Sequence, residues 1–317
     1  MKALIALAAA SLCSCGLAPA QQLLWQLTNP LPDWVAGPVP FIDFNGDGYR
    51  DYLTGAMLDV PNLQITVMQV RSGRDAAVLF QRADPSSMGA LYAGDVDRDG
   101  YPDLVLLRSC CASNNQLTIQ VYSMHRDLAI WENSGSIGQG YGTDILGNID
   151  VNGDGAPDVV TITNHPNASA VYVYDSTGAT LYTLPCSSQG RIALSLAKMG
   201  DMDGDNCDDF LVGCFEGTQR GVLLLVSGRL GTILRMSYGL LPGDMTCKHA
   251  RNLGDIDGDG VNDYAGFPHW SSYRAIVVAF SGQTGNVIHT WPEFANSVVT
   301  GDDYDLDGVP DLVMGAD

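Results

Sequence analysis

Apolar residues along this chain come in short runs rather than in helical stripes. Past the first twenty residues no stretch sustains apolar positions at the 3.6-residue period, so the pattern predicts few helices. Five stretches read instead as two strands around a polar, mostly glycine-containing turn: 64–80 (QITVMQVRSGRDAAVLF), 117–131 (LTIQVYSMHRDLAIW), 170–182 (AVYVYDSTGATLY), 222–236 (VLLLVSGRLGTILRM) and 276–291 (IVVAFSGQTGNVIHTW). Such pairing is hairpin chemistry. Between hairpins lies an aspartate-rich motif with its own apolar flanks, as in Leu91 to Ala93 before one copy and Leu104 to Leu107 after it.

The motif occurs six times: DFNGDGYRD from Asp43, DVDRDGYPD from Asp95, DVNGDGAPD from Asp150, DMDGDNCDD from Asp201, DIDGDGVND from Asp255 and DYDLDGVPD from Asp303. Successive copies start 52, 55, 51, 54 and 48 residues apart. Each period therefore holds four strands: A, the aspartate loop, B, then a C–D hairpin. A four-stranded sheet repeated at this interval, unable to bury both faces alone, is a propeller blade. The expectation is an all-β protein, one β-propeller domain over residues 21–317 with six blades, seven being the alternative. Leu23 to Leu27 reads as a D strand that completes the blade begun at the C-terminus, with Trp25 matching Phe80, Trp131, Tyr182 and Trp291. That closure would leave no free sheet edge. The sixth period lacks a C strand, which leaves three readings open: a three-stranded blade, assembly with a partner strand through the incomplete blade, or a truncated chain.

The motif D-x-[DN]-x-D-[GN]-x-x-D has the donors of a calcium site. Ca²⁺ takes six to eight hard oxygen ligands in a flexible shell, and carboxylates at positions one, three and five of a tight loop converge on one point. Position seven offers its carbonyl and position nine closes the shell. Position six requires positive φ, supplied by Gly or, at Asn206, by Asn. The candidate ligands are Asp43, Asn45, Asp47 and Asp51; Asp95, Asp97, Asp99 and Asp103; Asp150, Asn152, Asp154 and Asp158; Asp201, Asp203, Asp205 and Asp209; Asp255, Asp257, Asp259 and Asp263; Asp303, Asp305, Asp307 and Asp311. Up to six Ca²⁺ are expected. The glutamate at position twelve and the flanking helices of an EF-hand are absent from the pattern.

These residues resemble a known repeat. The unit G-D-x-D-x-D-G-x-x-D followed by an apolar strand, as in Gly94–Asp103 and Gly254–Asp263, is similar to the FG-GAP repeat of integrin α-subunit propellers and to VCBS-type repeats of bacterial exported proteins. Partial Gly-Ala signatures stand at Thr54 to Ala56 and Met314 to Ala316. The resemblance implies a propeller with metal in its loops, and an adhesion, glycan-binding or protein-binding role.

Charge narrows the partners. Acidic residues number 36 against 16 basic ones, giving a net charge of −20, and only Glu132, Glu216 and Glu293 are glutamates. Six divalent ions would bring −20 to −8. Nucleic acid and anionic membrane surfaces need basic clusters that this sequence lacks. Residues 1–20 read as a signal peptide: Lys2, an apolar run from Ala3 to Leu12, and Ala18-Pro19-Ala20 as the cleavage site. Processing as a lipoprotein at Cys15 is the alternative. No later segment reads as transmembrane. Export, to a secreted, periplasmic or cell-surface location, makes disulfides possible among Cys110, Cys111, Cys186, Cys207, Cys214 and Cys247, with 15 full pairings open.

A propeller gathers its B–C and D–A connections on the face opposite the aspartate loops. Phe215, Lys248, His249, His269, Trp270 and Tyr273 fall there and are the candidate contacts for an extracellular protein or carbohydrate. The sequence carries no nucleophile–base motif, so a non-enzymatic binding module is expected. A polysaccharide lyase using His249, Lys248 and Arg251, and a structural cell-surface scaffold, are the alternatives.

Overall fold

A computed structural model describes residues 35–60, 63–84, 87–110, 116–217, 220–240, 247–267, 277–291, 297–300 and 312–315. The leader, Leu23 to Leu27, the sixth aspartate motif at Asp303 to Asp311, and His269, Trp270 and Tyr273 lie outside them.

The chain divides into two compact units at Gly89/Ala90. The first holds sheet 1: β1 (Val35–Pro40), β2 (Tyr52–Val60), β3 (Leu63–Arg71) and β4 (Val78–Asp84), hydrogen-bonded in that order. Four further sheets repeat the plan. Sheet 2 comprises β5 (Ser87–Gly94), β6 (Asp103–Cys110), β7 (Gln116–Ser123) and β8 (Leu128–Ser136). Sheet 3 comprises β9 (Ile145–Ile149), β10 (Asp158–Thr163), β11 (Ala170–Tyr174) and β12 (Thr180–Pro185). Sheet 4 comprises β13 (Arg191–Gly200), β14 (Asp209–Glu216), β15 (Arg220–Val226) and β16 (Ile233–Tyr238). Sheet 5 comprises β17 (His249–Gly254), β18 (Asp263–Phe267), β19 (Val277–Phe280) and β20 (Val287–Trp291). A last antiparallel pair, β21 (Ser297–Thr300) and β22 (Leu312–Gly315), flanks the sixth motif. Helix among the described residues is limited to two single turns, Ile137–Gln139 and Ser187–Gln189.

The A–loop–B–C–D order is thus observed in five sheets, with each aspartate motif spanning the A–B connection. β6, β10, β14 and β18 each begin on the motif's ninth residue. Within the second unit the sheets stack face to face. Trp131 of sheet 2 packs on Tyr174 of sheet 3, ring centroids 5.9 Å apart. Val160, Ile162 and Val173 of sheet 3 share a core with Phe210, Val212 and Leu224 of sheet 4. Leu211 and Leu225, on the other face of sheet 4, meet Tyr264 and Phe280 of sheet 5. The A strands β9, β13, β17 and β21 neighbour one another in succession.

This stacking explains the run-like apolar pattern. Central strands are covered on both faces, so β10, β18 and β19 are buried at every position and need no polar alternation. The outer strands β12 and β20 keep exposed residues along their length.

Candidate metal-binding loops

Five aspartate loops are described, and their backbones are held by their own carboxylates. The first aspartate accepts the N–H of residue five through Oδ1 at 3.0–3.1 Å in four loops, from Asp47, Asp99, Asp205 and Asp259. Its Oδ2 accepts the N–H of residue six at 2.8–2.9 Å in all five, from Gly48, Gly100, Gly155, Asn206 and Gly260. Oδ1 of residue three accepts from the N–H of residue five, and Oδ1 of residue five from the N–H of residue seven. The side chains therefore fold inward over the loop.

Position six is left-handed throughout, including Asn206 at φ 62°, as its residue type predicts. Position four is left-handed too: Gly46, Gly153, Gly204 and Gly258, but Arg98 at φ 56° in the second loop. The glycine that recurs at position four in the sequence is the signal for this conformation.

The ninth aspartate is buried in all five loops. Its Oδ2 accepts the N–H of the apolar second residue: Phe44 at 2.7 Å, Val96 at 2.7 Å, Val151 at 3.0 Å, Met202 at 2.7 Å and Ile256 at 2.9 Å. In sheets 1, 4 and 5 its Oδ1 accepts the N–H of a glycine in the C–D turn: Gly73, Gly228 and Gly282, at 2.9, 2.9 and 2.8 Å. Each of these glycines sits against the carbonyl of the motif's eighth residue, where a Cβ would collide. In sheets 2 and 3 the corresponding turn residues are Met124 and Ser176. There Oδ1 of Asp103 and of Asp158 is buried with no hydrogen-bond partner. Burial, opposed by the N–H bonds, lifts the carboxyl of Asp103 to about 6, Asp158 to about 7 and Asp209 to about 6, and raises Asp263.

The donor set fits a hard divalent cation. Carboxylate oxygens of Asp95, Asp97 and Asp99, of Asp201, Asp203 and Asp209, and of Asp255, Asp257 and Asp259 lie within 4.8 Å of one another in each group. Oxygens sharing one Ca²⁺ stand no more than about 5 Å apart, twice the ordinary bond length. In the second loop Asp103 Oδ1 is buried without a hydrogen bond, while the buried Asp97 Oδ2 and Asp99 Oδ2 meet the Arg126 guanidinium. In the first and third loops the amides of Asn45 and Asn152 donate to Asp47 and Asp154 at 3.1 and 3.0 Å. The Asp303, Asp305, Asp307 and Asp311 set lies outside the described residues.

Basic residues around the loops were not singled out from the sequence. Arg126, in the C–D turn of sheet 2, places Nη1 3.1 Å from Asp97 Oδ2 and Nε 3.4 Å from Asp99 Oδ2. Arg98 donates to the Asp154 carbonyl at 2.6 Å and to its Oδ1 at 2.9 Å, tying loop 2 to loop 3. Loops 3 and 4 are tied by Asp150 N–H on Asp208 Oδ2 at 2.9 Å and Asp208 N–H on the Asp150 carbonyl at 2.7 Å.

Of the predicted ligand face, Phe215 is half-buried near the end of β14, Lys248 is half-buried, and His249 is exposed at the start of β17. β14 and β17 neighbour each other, and Gly213 packs against the Cys247 carbonyl. Phe215, Lys248 and His249 therefore share one end of sheets 4 and 5. Asp144 is half-buried, accepting N–H bonds from Leu196 at 2.8 Å and Ile145 at 3.0 Å, with the charges of Arg251 and Lys248 nearby.

Consecutive four-stranded sheets, each with an aspartate loop between its first two strands, define the described residues as those of an all-β repeat protein. Residues 150–212, from the third aspartate loop into β14, match the FG-GAP-like repeat family. It is 30% identical to integrin alpha-PS5 of Drosophila melanogaster over 150 residues, 41% of this chain and 15% of that protein. It is 32% identical to human T-cell immunomodulatory protein over 112 residues, 28% of this chain and 18% of that protein. The matched stretch thus spans less than a fifth of either relative. Among solved structures, the V. cholerae biofilm matrix protein Bap1 aligns with a TM-score of 0.44 at 17% identity, over 82% of this chain and 40% of its own.

Proposed function

We propose that this chain is an exported β-propeller whose aspartate loops hold Ca²⁺ and whose opposite face binds an extracellular protein or glycan. The observation that carries the reading is the convergence of three carboxylates within 4.8 Å in each of three loops, with Oδ1 of Asp103 and of Asp158 buried and without a hydrogen bond. Buried carboxylates are costly unless a cation compensates them. Face-to-face sheets and successive neighbouring A strands support the propeller, and six motifs support six blades. The FG-GAP match and the integrin relative support adhesion or ligand binding over catalysis. The calcium loops are the structural end. Residues 1–20 act as the export signal.

In this reading calcium is a folding cofactor. It replaces carboxylate repulsion with coordination, and each site at a free concentration several times its dissociation constant adds roughly 1 kcal/mol. The rigid loops then hold the sheets that present Phe215, Lys248 and His249, joined by His269, Trp270 and Tyr273. Immobilised extracellular-matrix proteins and a glycan array, probed with calcium and with EGTA, test the function. Calcium-dependent capture that the double substitution Trp270→Ala and His269→Ala abolishes, with melting unchanged, is the expected result. Ultraviolet-absorbing unsaturated uronates released from an acidic polysaccharide would overturn the non-enzymatic reading.

A further inference from the structure

Four buried cysteines are described, all as free thiols, and Cys186, Cys214 and Cys247 are neighbours. Cys186 follows β12 at the outer edge of sheet 3, Cys214 lies within β14 of sheet 4, and Cys247 precedes β17 of sheet 5. Cys186 and Cys214 belong to the same apolar core between sheets 3 and 4, where their thiols are neighbours, and the Cys186 thiol donates to the Leu184 carbonyl at 3.8 Å. Both backbones are fixed. The Cys186 N–H donates to the Ser169 carbonyl at 2.9 Å, and its own carbonyl accepts from Arg191 N–H at 3.1 Å. Cys214 is paired in register with Ala193 on one side and Val222 on the other. Cys207 stands apart, in the fourth aspartate loop.

We infer that Cys186 and Cys214 form a disulfide that staples sheet 3 to sheet 4, while Cys247 stays a thiol. The pairing is the one that the contact selects from those open in the sequence. Cys186 is the entry point for exchange. It lines an apolar cavity of about 390 Å³ between the two sheets, with Gln189 and Arg191 also on its wall, whereas Cys214 is fully buried. The neighbouring Cys214 thiol draws the Cys186 thiol below its ordinary pKa, with the Arg191 charge assisting against burial, while Cys214 is raised.

The chemistry is thiol–disulfide exchange with an oxidised dithiol of the export compartment. The Cys186 thiolate attacks one sulfur of that disulfide, forming a mixed disulfide and releasing a thiolate. Cys214 gives its proton to solvent base and attacks Cys186 Sγ, releasing the second thiolate. Two cysteine thiols are oxidised, and the oxidant's disulfide is reduced to two thiols. Such a bond adds a covalent link to the packing and the hydrogen bonds that already join the two sheets.

Tryptic mapping of the full chain tests this. The protein is produced by export, isolated without reductant, and alkylated in denaturant. Cys186 falls in the tryptic peptide 127–191, Cys214 in 199–220 and Cys247 in 236–248. The expected result is peptide 127–191 joined to 199–220, two hydrogens lighter than the separate pair and parted by reductant, with 236–248 alkylated. Because 199–220 also holds Cys207, the Cys207→Ser variant should keep the link and Cys214→Ser should lose it. Recovery of Cys186 and Cys214 as alkylated peptides, or a Cys214–Cys247 link, overturns the inference.

Discussion

The backbone N–H of Gly228 donates to Oδ1 of Asp209 at 2.9 Å, joining the C–D turn of sheet 4 to the last residue of its aspartate loop. The same carboxylate accepts Met202 N–H at 2.7 Å through Oδ2 and stands in the cluster with Asp201 and Asp203. One buried side chain thus closes the loop, pins the turn and faces the candidate cation. Gly228→Ala would drive a Cβ into the Asp208 carbonyl and break this bond. Loss of a bond to a buried carboxylate plus the clash should cost about 3 kcal/mol. Thermal melting should then fall by roughly 6–10 °C. A variant that melts like the parent would show that the turn does not depend on Asp209.

Arg126 is the internal counter-ion of the second loop. Its guanidinium faces Asp97 and Asp99, whose side chains are only 8% exposed. In EGTA, Arg126→Gln leaves those carboxylates facing each other without compensation, and melting should drop. In calcium the ion supplies the charge, so the variant should recover most of the loss. The calcium-induced rise in melting temperature is therefore larger for the variant than for the parent. An equal rise in both proteins would separate Arg126 from the cation site.

Burial sets an unusual pH dependence in metal-free protein. Asp103 at about 6, Asp158 at about 7 and Asp209 at about 6 lie above the unfolded aspartate value of about 3.9. The folded state therefore binds more protons than the unfolded one across this window. The stabilisation is complete below about pH 4 and is lost as pH rises through 6 and 7. In EGTA, melting should be higher at pH 5 than at pH 7.5. Calcium, which competes with these protons, should reduce or reverse the difference. Melting in EGTA that rises steadily from pH 5 to 7.5 would oppose the assignment.

The repeat made the sheets legible, since an aspartate loop with apolar runs on both sides can be read from residue types alone. The hairpin at 117–131 became β7 and β8, and the one at 170–182 became β11 and β12. Convergence of Asp95, Asp97 and Asp99 was legible for the same reason: their spacing places them on one tight turn. The partners of the ninth aspartate were not. Gly73, Gly228 and Gly282 are about twenty residues downstream, and only folding shows that their N–H groups reach Asp51, Asp209 and Asp263. The Ser-Gly pair at those turns recurred in the sequence but read simply as turn chemistry. Arg98 and Arg126 were hidden by distance too, one bridging two repeats and the other folding back across a hairpin. The juxtaposition of Cys186 with Cys214 depends on how sheet 3 stacks on sheet 4, which no local pattern encodes.

Native mass spectrometry of the chain at millimolar calcium, repeated after chelation, measures the cation reading most directly. Bound Ca²⁺ should approach six per chain, fall by one in the Asp158→Ala variant, and vanish in EGTA together with a large drop in melting temperature. A chain that carries no calcium under these conditions and melts identically in EGTA would contradict it.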